Sequence, residues 1–192
     1  MKNGKPLIIA APDSFKGSLS ATEVARSIAE GVKSAVPSAE VITIPAADGG
    51  EGTVFALCGD SIKTLTVTGP LGEPVTAFYG ILPSGDCVIE MAAAAGLPLI
   101  GGRLEPLNST TYGVGELIRD ALRGGARHIY LGLGGSATTD CGCGMAAALG
   151  VRFSDGDGNA FVPTGGAMSR VCHIDISERE PLLRDARITV MY

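Results

Sequence analysis

Tryptophan is absent from this 192-residue chain, histidine occurs only twice, and no apolar run approaches the roughly 18 residues that a membrane-crossing helix needs. The longest candidate, IEMAAAAGLPLIGG, is broken by Glu90, by glycine and by proline. No C-x-x-C pair is present. The five cysteines, at 58, 87, 141, 143 and 172, are odd in number and scattered, which suits reduced, partly buried thiols better than a disulfide framework. Cys141-Gly-Cys143 is too tight for a zinc knuckle, and His128 and His173 supply no matching pair. No basic stripe is present either, and a net charge of −5 argues against a nucleic-acid partner. The apolar run after Lys2 and Lys5 is short and is interrupted by Asp13, so it reads as a strand rather than a signal peptide. A cytoplasmic protein without a membrane partner is expected.

What remains is an ordinary globular composition, 45% hydrophobic with 18% charge, arranged in α/β order. KPLIIAAP, bounded by Pro6 and Pro12, has the pattern of a buried strand. Ser20 followed by Glu23 forms a capping box, and Val24, Ile28 and Val32 give the helix behind it an apolar stripe that Pro37 ends. EVITIP is a second strand, and AADGGEGT leads into the short apolar segment VFALCG. From about Ser61 the pattern changes. IKTLTVTG, EPVTAFYGIL and DCVIEMA alternate apolar and polar residues around PLGE and PSGD, as an antiparallel meander would. TTYGVGELIRDALRGGA is helical, with Asn108 to Thr111 as capping candidates and Gly124-Gly125 as the stop. RHIYLGL is a strand and GMAAALG a helix closed by Gly150. DGDGNAFVPTGG places Asp155, Asp157 and Asn159 like the first ligands of a calcium loop. However, Ala160 stands where glycine is required and Gly166 where the bidentate glutamate should be, so a hairpin is expected. ARITVMY is a last strand. One βαβ unit supplies too few strands for a stable parallel sheet, so further polypeptide is expected to complete it.

Three loops carry candidate chemistry. GLGGSATTDCG, between a strand and a helix, combines bare backbone N–H groups at Gly134, Gly135 and Ser136 with the hydroxyls of Ser136, Thr138 and Thr139. That build suits a phosphate or carboxylate cradle; Asp140 could cap the helix or hold a cation. It is neither a Walker loop nor a dinucleotide fingerprint. DSFKGS places Ser14 and Lys16 beyond the first strand, where open α/β sheets bind ligands, and Lys16 is either an anion contact or a solvated loop lysine. ADGGEGT places Asp48 and Glu51 in a glycine loop, as Mg²⁺ ligands, as a general base, or as a turn acid and a helix-starting glutamate. Glu90, at the end of an apolar strand, needs a partner if buried.

APDSFKGSLSA, PAADGGEGT, IEMAAAAGL, TTYGVGELI and GLGGSATTDCGCGMAAALG, in this order, resemble the bacterial glycerate kinase family of the glycerate 2-kinase type. The resemblance implies Mg²⁺-dependent phosphoryl transfer from ATP to D-glycerate, giving 2-phosphoglycerate. It also implies a Rossmann-like domain begun by residues 1–60 and completed by later sequence, and a second mixed α/β domain over 61–192 whose completeness stays open. In this reading Lys16 contacts the substrate carboxylate or the transferring phosphoryl group. Asp48 or Asp140 binds Mg²⁺ or accepts the proton, while Ser14, Glu51, Gly134, Gly135, Ser136 and Thr138 bind substrate or phosphate. Thr139 and Cys141 stand where family members usually carry asparagine and glycine. The family also continues well past Tyr192 through DVDNPL-like and GPQKG-like blocks, which leaves a non-catalytic, ligand-binding fragment as the alternative. GLGGSA is superficially similar to a loop of the galactokinase–homoserine kinase superfamily, whose other blocks are missing here.

Overall fold

The computed structural model describes residues 4–15 and 17–192. Its chain divides into two units, Met1–Asp48 and Gly49–Tyr192. In the first, β1 (Leu7–Ala10) and β2 (Glu40–Thr43) pair in parallel, with Leu7 opposite Glu40, and α1 (Ala21–Ala35) connects them. The capping box is fully formed: Ser20 Oγ accepts from the Glu23 N–H at 3.3 Å, and Glu23 Oε2 accepts from the Ser20 N–H at 2.8 Å. The predicted apolar stripe is covered only in part. Val24 is buried and Val32 half-buried, while Ile28 is exposed. Strands lie about 4.8 Å apart, so two of them make a narrow sheet, and Ile9 and Ile42 remain 60% and 41% exposed.

The second unit opens with α2 (Thr53–Cys58), which packs against a five-stranded mixed sheet. The sheet comprises β3 (Ile62–Thr68), β4 (Pro74–Ile81), β5 (Cys87–Glu90), β6 (His128–Gly132) and, last in the chain, β10 (Arg187–Met191). Its order is β10-β6-β5-β4-β3. β3, β4 and β5 form the expected antiparallel meander, with Gly69 N–H to Glu73 O and Leu82 N–H to Asp86 O closing the two turns at 2.8 Å. β5, β6 and β10 run parallel, so Glu90, Gly132 and Met191 fall in one row across their carboxyl ends. All four residues of β5 are buried, which explains why CVIE alternates so little.

The core lies between the sheet and α3 (Met91–Ala95) and α4 (Tyr112–Arg123). Val114, Leu117, Ile118, Ala121 and Leu122 recur at helical spacing along α4 and pack onto Val67, Tyr79, Ile89 and Ile129. The Tyr79 hydroxyl donates to Asp120 Oδ2 at 2.9 Å, and Lys63 Nζ lies 2.7 Å from the same oxygen. α5 (Cys143–Ala148) packs on α4. A small antiparallel sheet follows, β8-β7-β9, made of β7 (Arg152–Ser154), β8 (Ala160–Phe161) and β9 (His173–Asp175). The acidic turn between β7 and β8 is a hairpin: Asp155 N–H donates to Asn159 O, and Asp155 Oδ1 accepts from the Asp157 and Asn159 N–H groups. No described helix is long and apolar enough to cross a membrane.

All five cysteines are free thiols; Cys87 is buried, and burial pushes its thiol up to about 11, whereas Cys141 and Cys172 are exposed. Burial raises the Cys58 and Cys143 thiols as well. Alkylation at pH 7.5 followed by peptide mass mapping is expected to label Cys141 and Cys172 first and to spare Cys87 until the protein unfolds.

Candidate active site

The glycine loop leaves β6 at Gly132 and enters α5 at Cys143, and its first residues are fixed by the backbone of distant segments. Leu133 N–H donates to Met191 O at 3.1 Å and Gly134 N–H to Gly49 O at 3.2 Å. On the other side, Leu97 N–H donates to Gly135 O and Ala137 N–H to Ala95 O. The Gly49–Gly50 turn thus lies directly against Gly132–Gly134. A Cβ on Gly134 would sit 2.5 Å from Gly50 Cα, and one on Gly132 would strike the Gly49 carbonyl. This contact answers why the junction carries so little side chain: two main chains meet there. Gly134 is nevertheless half-exposed and Gly135 exposed, so the loop is not sealed in the interior.

Asp140 is 1% exposed and is the hub of the loop. Its Oδ2 accepts from Thr111 N–H and Thr111 Oγ1–H, both at 2.8 Å, and from Gly144 N–H at 3.0 Å; Oδ1 accepts from Gly142 N–H at 3.1 Å. Thr111 Oγ1 in turn accepts from Met145 N–H at 2.9 Å. One carboxylate therefore accepts from Thr111, the residue that opens α4, and from Gly142 and Gly144 at the start of α5, where the N-cap residues themselves make no side-chain cap. Sequence reading placed a cap at Asn108 to Thr111. Thr111 does precede α4, but the acceptor comes from a residue much later in the chain.

Glu90 does the same for α2. It is 2% exposed at the carboxyl end of β5, and its Oε1 accepts from Val54 N–H at 2.7 Å, with further backbone donors at Gly52 and Thr53. Burial raises its pKa above the ordinary glutamate value, and the backbone donors offset that rise only in part. The N-cap residue of α2, Gly52, has no side chain to do this work.

These two caps change how an anion could bind. The helix N-termini behind both glycine turns are already occupied by internal carboxylates, so neither is open to a phosphate. Among the described residues, the main-chain N–H groups of Gly135 and Ser136 have no acceptor. Beside them Ser136 Oγ and Thr138 Oγ1 lie 2.7 Å apart, and Thr138 N–H donates to Ser136 Oγ at 3.2 Å. This is a compact donor set at the carboxyl edge of parallel strands, where open α/β sheets take ligands. Thr139 is turned elsewhere, with its hydroxyl donating to Pro106 O at 2.5 Å. Cys141 has φ +52°, the left-handed region that favours glycine.

The structure thus brings together Gly134, Gly135, Ser136, Thr138 and Asp140, with Glu51 in the adjoining turn. Ser14 and Asp48 belong to the Met1–Asp48 unit, where Ser14 N–H donates to Asp13 Oδ1 and Asp48 is exposed. Lys16 lies outside the described residues. Among the described residues no group of three or more His, Cys, Asp and Glu side chains is arranged to hold a metal ion. Asp140 does not fit a Mg²⁺ ligand, because it is buried and already accepts four hydrogen bonds.

The sequence and the architecture have counterparts in known proteins. A family model described as the glycerate kinase family matches residues 8–192. The chain belongs to the glycerate kinase family. It is 50% identical to a glycerate kinase of Bacillus subtilis (strain 168) over 188 residues, which are 95% of this chain and 49% of that protein. To a glycerate 2-kinase of Escherichia coli (strain K12) it is 47% identical, again over 95% of the chain and 49% of the relative. A crystal structure assigned as a glycerate kinase 2 from Salmonella typhimurium LT2 superposes with a TM-score of 0.81 at 45% identity, covering 96% of this chain and 52% of that one. The chain spans about half the length of the curated relatives it matches.

Replacing Asp140 by Asn should destabilise the Gly49–Tyr192 unit by about 2–3 kcal/mol, since an amide cannot accept all four donors. Thr111→Val should cost about 1–2 kcal/mol by stranding the Met145 N–H. Urea unfolding of each variant against the parent measures both.

Proposed function

We propose that this chain takes part in the ATP-dependent phosphorylation of D-glycerate, with 2-phosphoglycerate as the product. The observation that carries the reading is the pair of N–H groups at Gly135 and Ser136 that have no acceptor among the described residues, set beside two hydroxyls in a loop within the family match. Phosphoryl transfer asks a protein mainly to align reactants and to stabilise charge spreading over the phosphoryl oxygens. Gly135 and Ser136 N–H, with Ser136 and Thr138 Oγ–H, donate to those oxygens. The glycerate hydroxyl attacks the γ-phosphorus as the bond to the bridging β-oxygen breaks, ADP departs, and the hydroxyl proton passes to a carboxylate.

Asp48, the exposed acid of its glycine turn, is the candidate for that proton. Lys16 and Ser14 are assigned to the glycerate carboxylate or the γ-phosphate, and Glu51 to substrate or phosphate binding. Asp140 holds the loop rather than touching substrate. Mg²⁺, when bound with ATP, would neutralise the β- and γ-phosphate oxygens, and helping to hold it is the alternative role for Asp48, in place of taking the proton.

The second reading, a ligand-binding fragment without turnover, is supported by the exposure of Ile9 and Ile42 on the two-stranded sheet. Incubation of the chain with ATP, Mg²⁺ and D-glycerate separates the two: ADP release with formation of phosphoglycerate is expected, and ATP binding without ADP release establishes the fragment instead. In a full-length relative, Lys16→Ala at the matching position should lower turnover at least tenfold, and Ser136→Ala should raise KM for ATP with a smaller effect on kcat. Steady-state kinetics with glycerate and ATP varied in turn check both.

A further inference from the structure

Glu90 is a strongly buried acid in an otherwise apolar strand, and the phosphoryl-transfer reading gives it no task. A carboxylate at 2% exposure is costly unless hydrogen bonds replace its lost water. Those bonds come from the backbone around Gly52, Thr53 and Val54. The turn immediately before these donors, Gly49–Gly50, is the one that meets the glycine loop, through Gly134 N–H to Gly49 O and the close approach of Gly132 and Gly134. Glu90 itself is aligned with Gly132 in the sheet register. The strand that carries the acid and the strand that launches the loop are therefore neighbours, and the acid reaches over to fix the segment lying on top of both.

We propose that Glu90 is a positioning residue: by holding the start of α2, it presses the Gly49–Gly52 turn onto Gly132–Gly134 and so sets the direction of the Gly135 and Ser136 N–H groups. Gln at this site has nearly the same shape but brings an NH₂ group toward backbone donors and loses one acceptor oxygen. Asp keeps the charge and shortens the reach by one methylene. The link between Glu90 and the loop is a property of the fold; only the identity of the bound anion rests on the phosphoryl-transfer reading.

Amide hydrogen exchange on the chain and on the Glu90→Gln and Glu90→Asp variants tests this, alongside the dissociation constant for Mg·ATP measured by calorimetry. In Glu90→Gln the Val54 and Gly134 amides should exchange at least tenfold faster while Ile129, deep in the sheet, is unchanged. Mg·ATP should bind at least fivefold more weakly, and Glu90→Asp should fall between parent and Gln variant on each measure. Faster exchange at Val54 with Gly134 unchanged overturns the proposal, because the cap is then purely local. Equal acceleration at Ile129 and Gly134 in both variants also overturns it, since the effect is then general loss of stability. Unaltered Mg·ATP affinity with a loosened Gly134 reduces Glu90 to a structural cap and overturns its role in the site. If the parent chain binds no Mg·ATP, the phosphoryl-transfer reading fails, and the exchange rates alone decide the case for Glu90.

Discussion

A carboxylate removed from water must be given hydrogen bonds in return, and the helix starts that surround this site supply them. Asp140 and Glu90 each sit almost wholly inside the Gly49–Tyr192 unit; Glu90 accepts from the distant start of α2, and Asp140 from the nearby start of α5 and from distant Thr111. The need runs both ways: short helices such as α2 and α5 begin at glycines that cannot cap themselves, and the acids would be untenable without those donors. Everything at the carboxyl edge of the parallel strands is arranged around this mutual satisfaction. With the helix ends already engaged, an incoming anion is left to the loop's own amides and hydroxyls.

Much of this was legible in the sequence wherever the signal was local. The Ser20–Glu23 box, the meander with its two turns and the hairpin at Asp155 each depend on neighbours a few residues apart, and all three are present. The stripe on α1 shows where local reading stops. Val24, Ile28 and Val32 have the right spacing, but burial depends on how much sheet lies beneath, and two strands cover only part of it. α3 and β9 escaped notice because five residues of alanine-rich helix and three residues of strand give too short a period to register.

The loop geometry around the candidate site was legible only in part. Bare backbone at Gly134 to Ser136 was read as a cradle for an anion; at Gly134 the structure corrects this, because its N–H already donates to Gly49 O and the Gly49–Gly50 main chain fills the space beside it. Asp140 was open between cap and cation ligand; four donors converging on it decide for the cap, a fact no spacing rule contains because Thr111 and Gly144 meet only after folding. Glu90 left a faint trace, one acid at the end of an apolar strand, which asks for a partner without saying which.

The support of Leu133 by Met191 has a consequence for the order of events during synthesis. β6 and the loop behind it emerge from the ribosome well before β10, yet the first peptide group of that loop leans on the last residue of β10. The nascent chain must therefore carry an unfinished loop, glycine-rich and unsupported on one flank, until its distal strand has been translated and has zipped alongside β6.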